Sequence, residues 1–295
     1  MAHVTKAHRS SVTRTLLMKS GLRPKKGLGQ HFLEDPLIIE KIVEAACLDA
    51  NDVIVEIGSG LGALTIPVLP SVLHVVAIEK DAMLTAIAQE QLSPQEKDKA
   101  TFISKDVLKV NLKEISGRFN QKLRIIGNLP YNISSPFLDR LVIYRSSIKD
   151  AILMFQIEFA QRLIAAPGGK SYGSLSVISQ YYGRISPVIT VSRDSFYPRP
   201  KVDSMVVKID LESPYPQRAD DNDSFQRIVK AAFSCRRKTI FNSLQRGVPS
   251  VPKDMIARAL TDCRIDPKRR AETLTIDEYI QLSSALIPGV HETRP

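Results

Sequence analysis

Short apolar runs alternate, from Val53 onward, with longer segments whose apolar positions recur at helical spacing. Seven of these runs, most of them rich in β-branched residues, predict strands over residues 53–57, 74–79, 101–103, 123–127, 151–155, 187–191 and 204–209. Two helix starts, Asp35-Pro36 and Ser135-Pro136, pair a capping residue with proline at the first helical position. The alternation predicts an α/β fold with a seven-stranded, mostly parallel sheet and crossover helices.

The pattern changes near Ser213, where the segment SPYPQRADDND is polar, contains prolines and lacks apolar periodicity. Beyond it, apolar residues at helical spacing comprise Phe225, Ile228, Val229, Ala232 and Phe233. Thr275 and Glu278 form a capping-box pattern before a last helix. We therefore predict four parts: a basic N-terminal extension (1–24), an α/β domain (25–212), a linker (213–222) and a small all-α domain (223–288).

Composition narrows the classes of protein and partner. The 295 residues are 43% hydrophobic, which excludes a chain disordered throughout, and 41 Lys and Arg against 31 Asp and Glu give a net charge of +10. This excess favours a polyanion, with nucleic acid ahead of an anionic membrane surface. The three cysteines lie far apart and indicate neither a disulfide framework nor a metal site. We expect a soluble, cytoplasmic protein with no metal and no membrane partner.

The basic N-terminal extension has no acidic residue before Glu34. Three interpretations stay open for it: a disordered terminus, a flexible arm that contacts phosphates, and a transit peptide.

The ends of the predicted strands carry the candidate chemistry, because ligands of open α/β sheets bind beyond the carboxyl ends of the strands. The first strand runs into a turn with Gly58 and Gly60, where a backbone without side chains can approach a ligand closely. The second ends at Glu79, whose carboxylate can accept hydrogen bonds from both hydroxyls of a ribose. The third ends at Asp106, an acceptor that suits the exocyclic amine of an adenine ring or serves as an ordinary helix cap.

The fourth strand ends in Asn128-Leu129-Pro130-Tyr131, the most informative stretch of the chain. The exocyclic amine of adenine is a poor nucleophile because its lone pair is delocalised into the ring. Hydrogen bonds from this amine to the Asn128 side-chain oxygen and to the carbonyl of Leu129 or Pro130 would localise the lone pair and aim it at a methyl group. Tyr131 offers an aromatic face for a base removed from its stack. The pattern favours methyl transfer to adenine, with a plain turn before a helix as the alternative.

Six ordered motifs carry a resemblance to a known family. They are GLGQHFL (27–33), VEIGSGLGALT (55–65), GNLPYNISSP (127–136), KSYGSLSV (170–177), FYPRPKVDS (196–204) and FSCRRKTIFNSL (233–244). With these motifs the chain resembles the small-subunit ribosomal RNA adenine dimethyltransferases from Gly27 to Leu286. The resemblance implies a Rossmann-like class I methyltransferase that uses S-adenosylmethionine to dimethylate the N6 amines of two adjacent adenosines in the 3′-terminal hairpin of 16S RNA. It also implies action on an immature 30S subunit, and we expect a monomer.

The same resemblance implies which residues hold each ligand. It assigns cofactor binding to His31, Leu33, Gly58, Gly60, Glu79, Lys80, Asp106, Val107 and Asn128. It assigns the grip on the target adenine to Asn128, Leu129, Pro130 and Tyr131, with Phe196 as a second aromatic wall. The chain departs from the family pattern at His31, where asparagine is frequent, at Ser174, where arginine is frequent, and at Arg199, which replaces a proline.

A basic run in the predicted helical domain suits RNA phosphates. It comprises Arg236, Arg237 and Lys238, followed by Arg246 and by Lys268, Arg269 and Arg270. The competing interpretation is an ordinary solvated surface.

Three other functions stay open at this point. A related family with the same pocket methylates 23S RNA and confers antibiotic resistance, although RRKT and YGSLSV favour the small-subunit group. The fold also serves as an assembly or transcription factor in some relatives. Methylation of a protein or a small molecule would need neither RNA affinity nor Tyr131.

Overall fold

The computed structural model describes residues 12–235 and 237–291. The chain divides into two compact units. Unit 1 comprises Met1–Ile157 and Pro187–Ile209, and unit 2 comprises Glu158–Ser186 and Asp210–Pro295.

The seven-stranded sheet has the order β4-β3-β2-β5-β6-β9-β7. Its strands are β2 (Val53–Ile57), β3 (His74–Glu79), β4 (Ala100–Ser104), β5 (Leu123–Asn128), β6 (Ile148–Gln156), β7 (Arg184–Val191) and β9 (Ser204–Asp210). The pairs β2–β3, β2–β5, β3–β4 and β5–β6 are parallel. All seven predicted strands are thus confirmed, and the order turns back at β2, so the loops after β2 and β5 adjoin at a switch point where such sheets bind ligands.

A second, two-stranded sheet was not predicted. It pairs β1 (Phe32–Leu33) with β8 (Phe196–Tyr197) in antiparallel register, with Phe32 opposite Tyr197. Two segments that lie far apart in the sequence are thereby joined next to the switch point.

The α-helices that precede β6 in the described chain are α1 (Val12–Lys19), α2 (Pro36–Ala46), α3 (Thr65–Val68), α4 (Ala82–Glu90), α5 (Pro94–Asp98), α6 (Leu112–Phe119) and α7 (Ser134–Ile143). Asp35 caps α2 as predicted, because its carboxylate accepts the Leu37 N–H at 3.1 Å. The predicted cap at Ser135 is wrong. Helix α7 begins at Ser134, two residues before the predicted first helical residue Pro136. It follows a short 3-10 turn over Tyr131–Ile133, so Ser135 and Pro136 lie within its first turn.

Part of the N-terminal extension is ordered. Helix α1 places Leu17, which is 3% exposed, in a hydrophobic cluster with Phe32, Leu61, Leu84 and Ile87. The extension is therefore not a free arm over its second half, because burial of this leucine holds α1 against unit 1. Residues 1–11 lie outside the described residues.

Buried ionic contacts fix the amino-terminal end of β5. Arg124 pairs with Asp52 at 2.6 Å and with Asp150 at 2.7 Å, and it also donates to the carbonyls of Ala46 and Cys47. A guanidinium group has five N–H donors, which suits this set of acceptors. The contacts fix one end of β5, and Asn128 lies at the other end of the same strand.

Unit 2 is helical, with α8 (Ile157–Leu163), α9 (Ser174–Tyr182), α10 (Asn222–Ala232), α11 (Ile240–Gly247), α12 (Lys253–Asp262) and α13 (Ile276–His291). The predicted capping box is confirmed, because the Thr275 N–H donates to Glu278 at 2.7 Å and the Glu278 N–H donates to Thr275 at 3.2 Å. Within the part of the chain that the structure describes, no helix is long and apolar enough to cross a membrane.

The division into units differs from the predicted boundaries, because residues 158–186 belong with the C-terminal helices. Tyr181 of α9 is fully buried, its ring lies 4.2 Å from that of Phe225, and its hydroxyl donates to Asn222 at 2.7 Å. Tyr172 likewise packs edge-on against Phe233. Aromatic burial therefore draws this segment out of the predicted 25–212 domain.

Candidate active site

A cavity opens at the carboxyl ends of β2, β3, β4 and β5 in unit 1. All of the predicted catalytic and cofactor-binding residues except Phe196 line it: His31, Leu33, Gly58, Gly60, Glu79, Lys80, Asp106, Val107, Asn128, Leu129, Pro130 and Tyr131. Residues that are adjacent only in the fold therefore meet at one site.

The glycine turn after β2 forms a close wall of this cavity. Gly58 has a φ of +69°, and a Cβ built there would lie 3.1 Å from the carbonyl oxygen of Asn128. Gly60 has a φ of +54°, and its Cβ would lie 3.3 Å from the Phe32 ring. Both positions need the left-handed backbone conformation that glycine adopts at low cost. The turn can therefore pack closely against Asn128 and Phe32, and it lines the cavity with a backbone that bears no side chain.

Glu79 is fixed beside this turn. Its carboxylate accepts the Gly60 N–H at 3.0 Å and the Asp81 N–H at 2.9 Å, and the residue is 9% exposed. Burial raises the pKa of this carboxyl, while the bonds from the Asp81 and Gly60 amides oppose the rise. A carboxylate has about four acceptor positions, so neighbouring hydroxyls could still bond to a group that is already oriented.

Asp106 serves as a helix cap and also faces the cavity. One oxygen accepts the Leu108 N–H at 3.0 Å, and the other contacts the Lys80 ammonium at 2.9 Å. The bond from Lys80 lowers the pKa of the Asp106 carboxyl, which therefore stays an acceptor at neutral pH.

Asn128 has a defined amide orientation. Its Nδ2 donates to the main-chain oxygen of His31 at 2.8 Å. With the donor end held in this way, the amide has Oδ1 available as an acceptor at the cavity.

Tyr131 is half-buried next to Asn128, and its hydroxyl lies 3.0 Å from the Ser204 hydroxyl. Its ring stacks with the His31 imidazole at a centroid distance of 5.8 Å and an interplanar angle of 25°. The Nδ1 atom of His31 lies 2.6 Å from the carbonyl oxygen of Pro198. The aromatic wall of the cavity is thus a pair of rings rather than the tyrosine alone.

Phe196 does not supply the second aromatic wall that we predicted. Its side chain is 4% exposed and packs in a hydrophobic cluster that includes Leu33 and Ile42. The cause is the register of the small sheet, in which Phe196 pairs with the buried Leu33.

The cavity also has lining residues that the sequence analysis did not assign to the site, and Glu56 and Thr13 are two of them. Glu56 lies inside the glycine-turn motif, is 2% exposed and accepts a short hydrogen bond from the Thr65 hydroxyl. Burial raises its pKa to about 8. Its place in an all-buried strand was the available signal, because an ionisable group there needs a partner. Thr13 of α1 also lines the cavity, which no sequence pattern indicated.

The predicted RNA-binding side chains lie in unit 2. Arg237 and Lys238 are exposed in the turn before α11, and the exposed Arg246 of α11 contacts the thiol of Cys235 at 3.8 Å. The Ile240 N–H donates to the Arg269 carbonyl at 2.7 Å, which brings the turn with the exposed Lys268 and Arg270 beside the first. We call these five exposed residues, Arg237, Lys238, Arg246, Lys268 and Arg270, the basic patch. Arg236 lies outside the described residues.

Comparisons with known proteins agree with this arrangement. The family model "Ribosomal RNA adenine dimethylase" matches residues 21–287. A protein of Desulforapulum autotrophicum named ribosomal RNA small subunit methyltransferase A is 42% identical over 92% of this chain and 95% of its own length. A protein of the same name from Bacillus cytotoxicus is 41% identical over 94% of this chain and 96% of its own.

Solved structures extend the likeness to the fold. A dimethyladenosine transferase from Plasmodium falciparum superposes with a TM-score of 0.76 at 27% identity, covering 88% of this chain and 98% of its own. The 23S rRNA methyltransferase ErmE has the same fold, with a TM-score of 0.67 at 23% identity over 87% of this chain and 99% of its own. The residues at the strand ends and these matches lead to one conclusion: the chain belongs to the ribosomal RNA adenine dimethylase family, whose members are S-adenosylmethionine-dependent methyltransferases.

Proposed function

We propose that this chain dimethylates the N6 amines of two adjacent adenosines in the 3′-terminal hairpin of 16S RNA, acting as a cytoplasmic monomer on an immature 30S subunit. The choice of subunit follows the names of relatives that are 42% and 41% identical to it. The observation that carries the adenine chemistry is the fixed Asn128 amide, with its nitrogen bonded to His31 and its oxygen available at the cavity.

The cavity residues fit S-adenosylmethionine, which supplies an electrophilic methyl group when bound. Gly58 and Gly60 would contact the cofactor through their backbone, because both line the cavity and bear no side chain that would hold a ligand away. Glu79 would accept hydrogen bonds from the ribose hydroxyls, which would offset the desolvation of its carboxylate. Asp106, kept ionised by Lys80, would accept from the amine of the cofactor's adenine.

A target adenine would offer its two amine hydrogens to Asn128 and to one main-chain carbonyl. Pro130 already accepts the Ile133 N–H at 3.0 Å, so Leu129 has the more available of the two candidate carbonyls. Two acceptors would localise the nitrogen lone pair and direct it at the methyl group. Rate enhancement would then come chiefly from orientation rather than from a strong base.

RNA affinity would come from the basic patch of unit 2, whose five exposed cations match a folded RNA backbone better than a protein surface. Release of counterions from the phosphates would make this affinity fall steeply with salt.

The experiment measures transfer of labelled methyl groups into immature 30S, mature 30S and 50S particles, followed by mass spectrometry of the nucleosides. We expect dimethyladenosine in the immature 30S sample. Asn128→Ala should lose at least about 100-fold in turnover while keeping its affinity for the cofactor. The matched control is Asn51→Ala, which removes an exposed amide that bonds only within its own turn in the described structure.

Each other outcome contradicts a defined part of the proposal. Methyl transfer to 50S particles would favour a 23S RNA methyltransferase, and binding to 30S without transfer would favour an assembly factor. Near-normal turnover of Asn128→Ala would contradict the amine-orienting role.

A further inference from the structure

His31 contacts both parts of the proposed adenine grip. Its main-chain oxygen accepts the Asn128 amide at 2.8 Å, and its imidazole stacks with the Tyr131 ring. The geometry of the ring pair, 5.8 Å between centroids and 25° between planes, is that of an offset stack.

The imidazole is itself held from a third segment. A carbonyl oxygen can only accept, so the 2.6 Å contact with Pro198 requires a proton on Nδ1 of His31. Pro198 follows β8, which pairs with β1 directly after His31. The small sheet therefore sets the position of the imidazole, and the imidazole contacts one face of Tyr131.

Tyr131 is then restrained at two points, its hydroxyl by Ser204 and its ring by His31. A ring already ordered before binding loses less side-chain entropy when a base stacks on it. Of these two restraints, removal of the imidazole would leave the hydroxyl contact, about which the ring can change its tilt.

We propose that His31 is a positioning residue of the methyltransferase reaction, in which its imidazole sets the angle of the Tyr131 ring for the flipped adenine while its carbonyl aligns Asn128. This inference rests on the proposed adenine grip of Asn128 and Tyr131. It departs from the cofactor-binding role that the sequence resemblance implied for His31, because the imidazole stacks with Tyr131 of the substrate wall and is held in that position by Pro198.

Three variants separate the contributions of this side chain. His31→Phe keeps a ring against Tyr131 and loses the Nδ1 donor, His31→Asn keeps a donor and loses the ring, and His31→Ala loses both. All three keep the main-chain carbonyl that Asn128 uses. We expect unchanged cofactor affinity throughout, a fall in kcat of about 10- to 100-fold for His31→Ala and His31→Asn, and a smaller fall for His31→Phe.

A double-mutant cycle with Tyr131→Ala tests whether His31 acts through the tyrosine. Single-turnover rates are measured for the wild-type chain, each single variant and the pair, with labelled cofactor and immature 30S particles. We expect His31→Ala to reduce the rate strongly in the wild-type background and less than threefold in the Tyr131→Ala background. The fluorescence of 2-aminopurine at the target position of an RNA should be quenched less when the RNA binds His31→Ala than when it binds the wild-type chain. This difference reports the loss of stacking directly.

The matched control is His74→Ala, which removes another histidine that contacts an aromatic ring. The His74 ring lies 5.0 Å from the Phe119 ring, and His74 is at the opposite end of β3 from Glu79. It should retain wild-type kcat and quenching. Equal rate losses in both backgrounds, or a His31→Ala variant with wild-type kcat, would overturn the proposal. A wild-type chain that transfers no methyl group at all would instead contradict the proposed function.

Discussion

Glu56 makes the stability of unit 1 depend on pH in an unusual direction. The residue is 2% exposed in the interior strand β2, and its burial raises the pKa to about 8 despite the hydrogen bond from Thr65. The nearby charge of Glu79 raises it further. At neutral pH the folded chain therefore keeps a proton that the unfolded chain has already released.

The sign follows from this difference in bound protons. Between the ordinary pKa of 4.5 and the folded value of about 8, the unfolded state binds fewer protons, so the free energy of unfolding decreases as pH rises. Each pH unit within this window removes up to ~1.4 kcal/mol. From about pH 6 to about pH 8.5 we therefore expect a loss of roughly 2 kcal/mol from this one carboxyl, which levels off above the folded pKa.

Glu56→Gln tests this reasoning because the amide has nearly the same size, can still accept from Thr65 and does not titrate. Urea unfolding followed by far-ultraviolet circular dichroism suits a chain without tryptophan. Relative to the parent, we expect the variant to gain roughly 2 kcal/mol of unfolding free energy between about pH 6 and about pH 8.5, without added cofactor. Comparison at each pH cancels the titration of groups that do not interact with Glu56.

The control for this experiment is Glu40→Gln on α2, which removes an exposed carboxylate and should show no such gain. A Glu56→Gln difference that stays constant with pH, or that reverses its sign, would refute the assignment of a neutral, buried carboxyl.

Three further predictions concern other parts of the chain. Gly127→Ala should destabilise unit 1 by about 3 kcal/mol or more in urea unfolding, because its Cβ would lie 2.5 Å from the Ile57 carbonyl oxygen; near-parental stability would contradict the close strand packing. Leu17→Ala should lower the free energy of unfolding by about 2–3 kcal/mol in the same assay, since the side chain is 3% exposed; unchanged stability would indicate that α1 is only loosely attached. Replacing Lys238 and Arg246 together with Ala should reduce the slope of log affinity for RNA against log salt by about 2, whereas an unchanged slope would remove both from the RNA interface.

The sheet could be predicted because its signals are local. β-branched runs predict strands, and a capping residue such as Asp35 predicts a helix start, from neighbouring residues alone. The carboxyl ends of parallel strands lie at one edge of the sheet wherever the helices lie. The meeting of Gly58, Glu79, Asp106 and Asn128 at one cavity followed from that rule. Their roles with the cofactor and the substrate stay predictions.

Long-range packing could not be predicted in the same way. Strands of two residues such as β1 and β8 have no periodicity, so the burial of Phe196 by their register left no trace in the sequence. Nor does the sequence show which partner an aromatic residue packs against. The contacts of Tyr181 with Phe225 and of Tyr172 with Phe233, which place residues 158–186 with unit 2, could therefore not be predicted.

The small sheet of β1 and β8 also has a consequence for synthesis of the chain. The glycine turn, Glu79 and Asn128 are complete once β5 has left the ribosome, but the imidazole of His31 obtains its acceptor only when Pro198 emerges. A nascent chain that ends between β5 and Pro198 would contain the glycine turn, Glu79 and Asn128. It would lack the contact that positions His31, and through it Tyr131, for the target base. Competence to methylate would thus arise late in translation, after most of the polypeptide has been made.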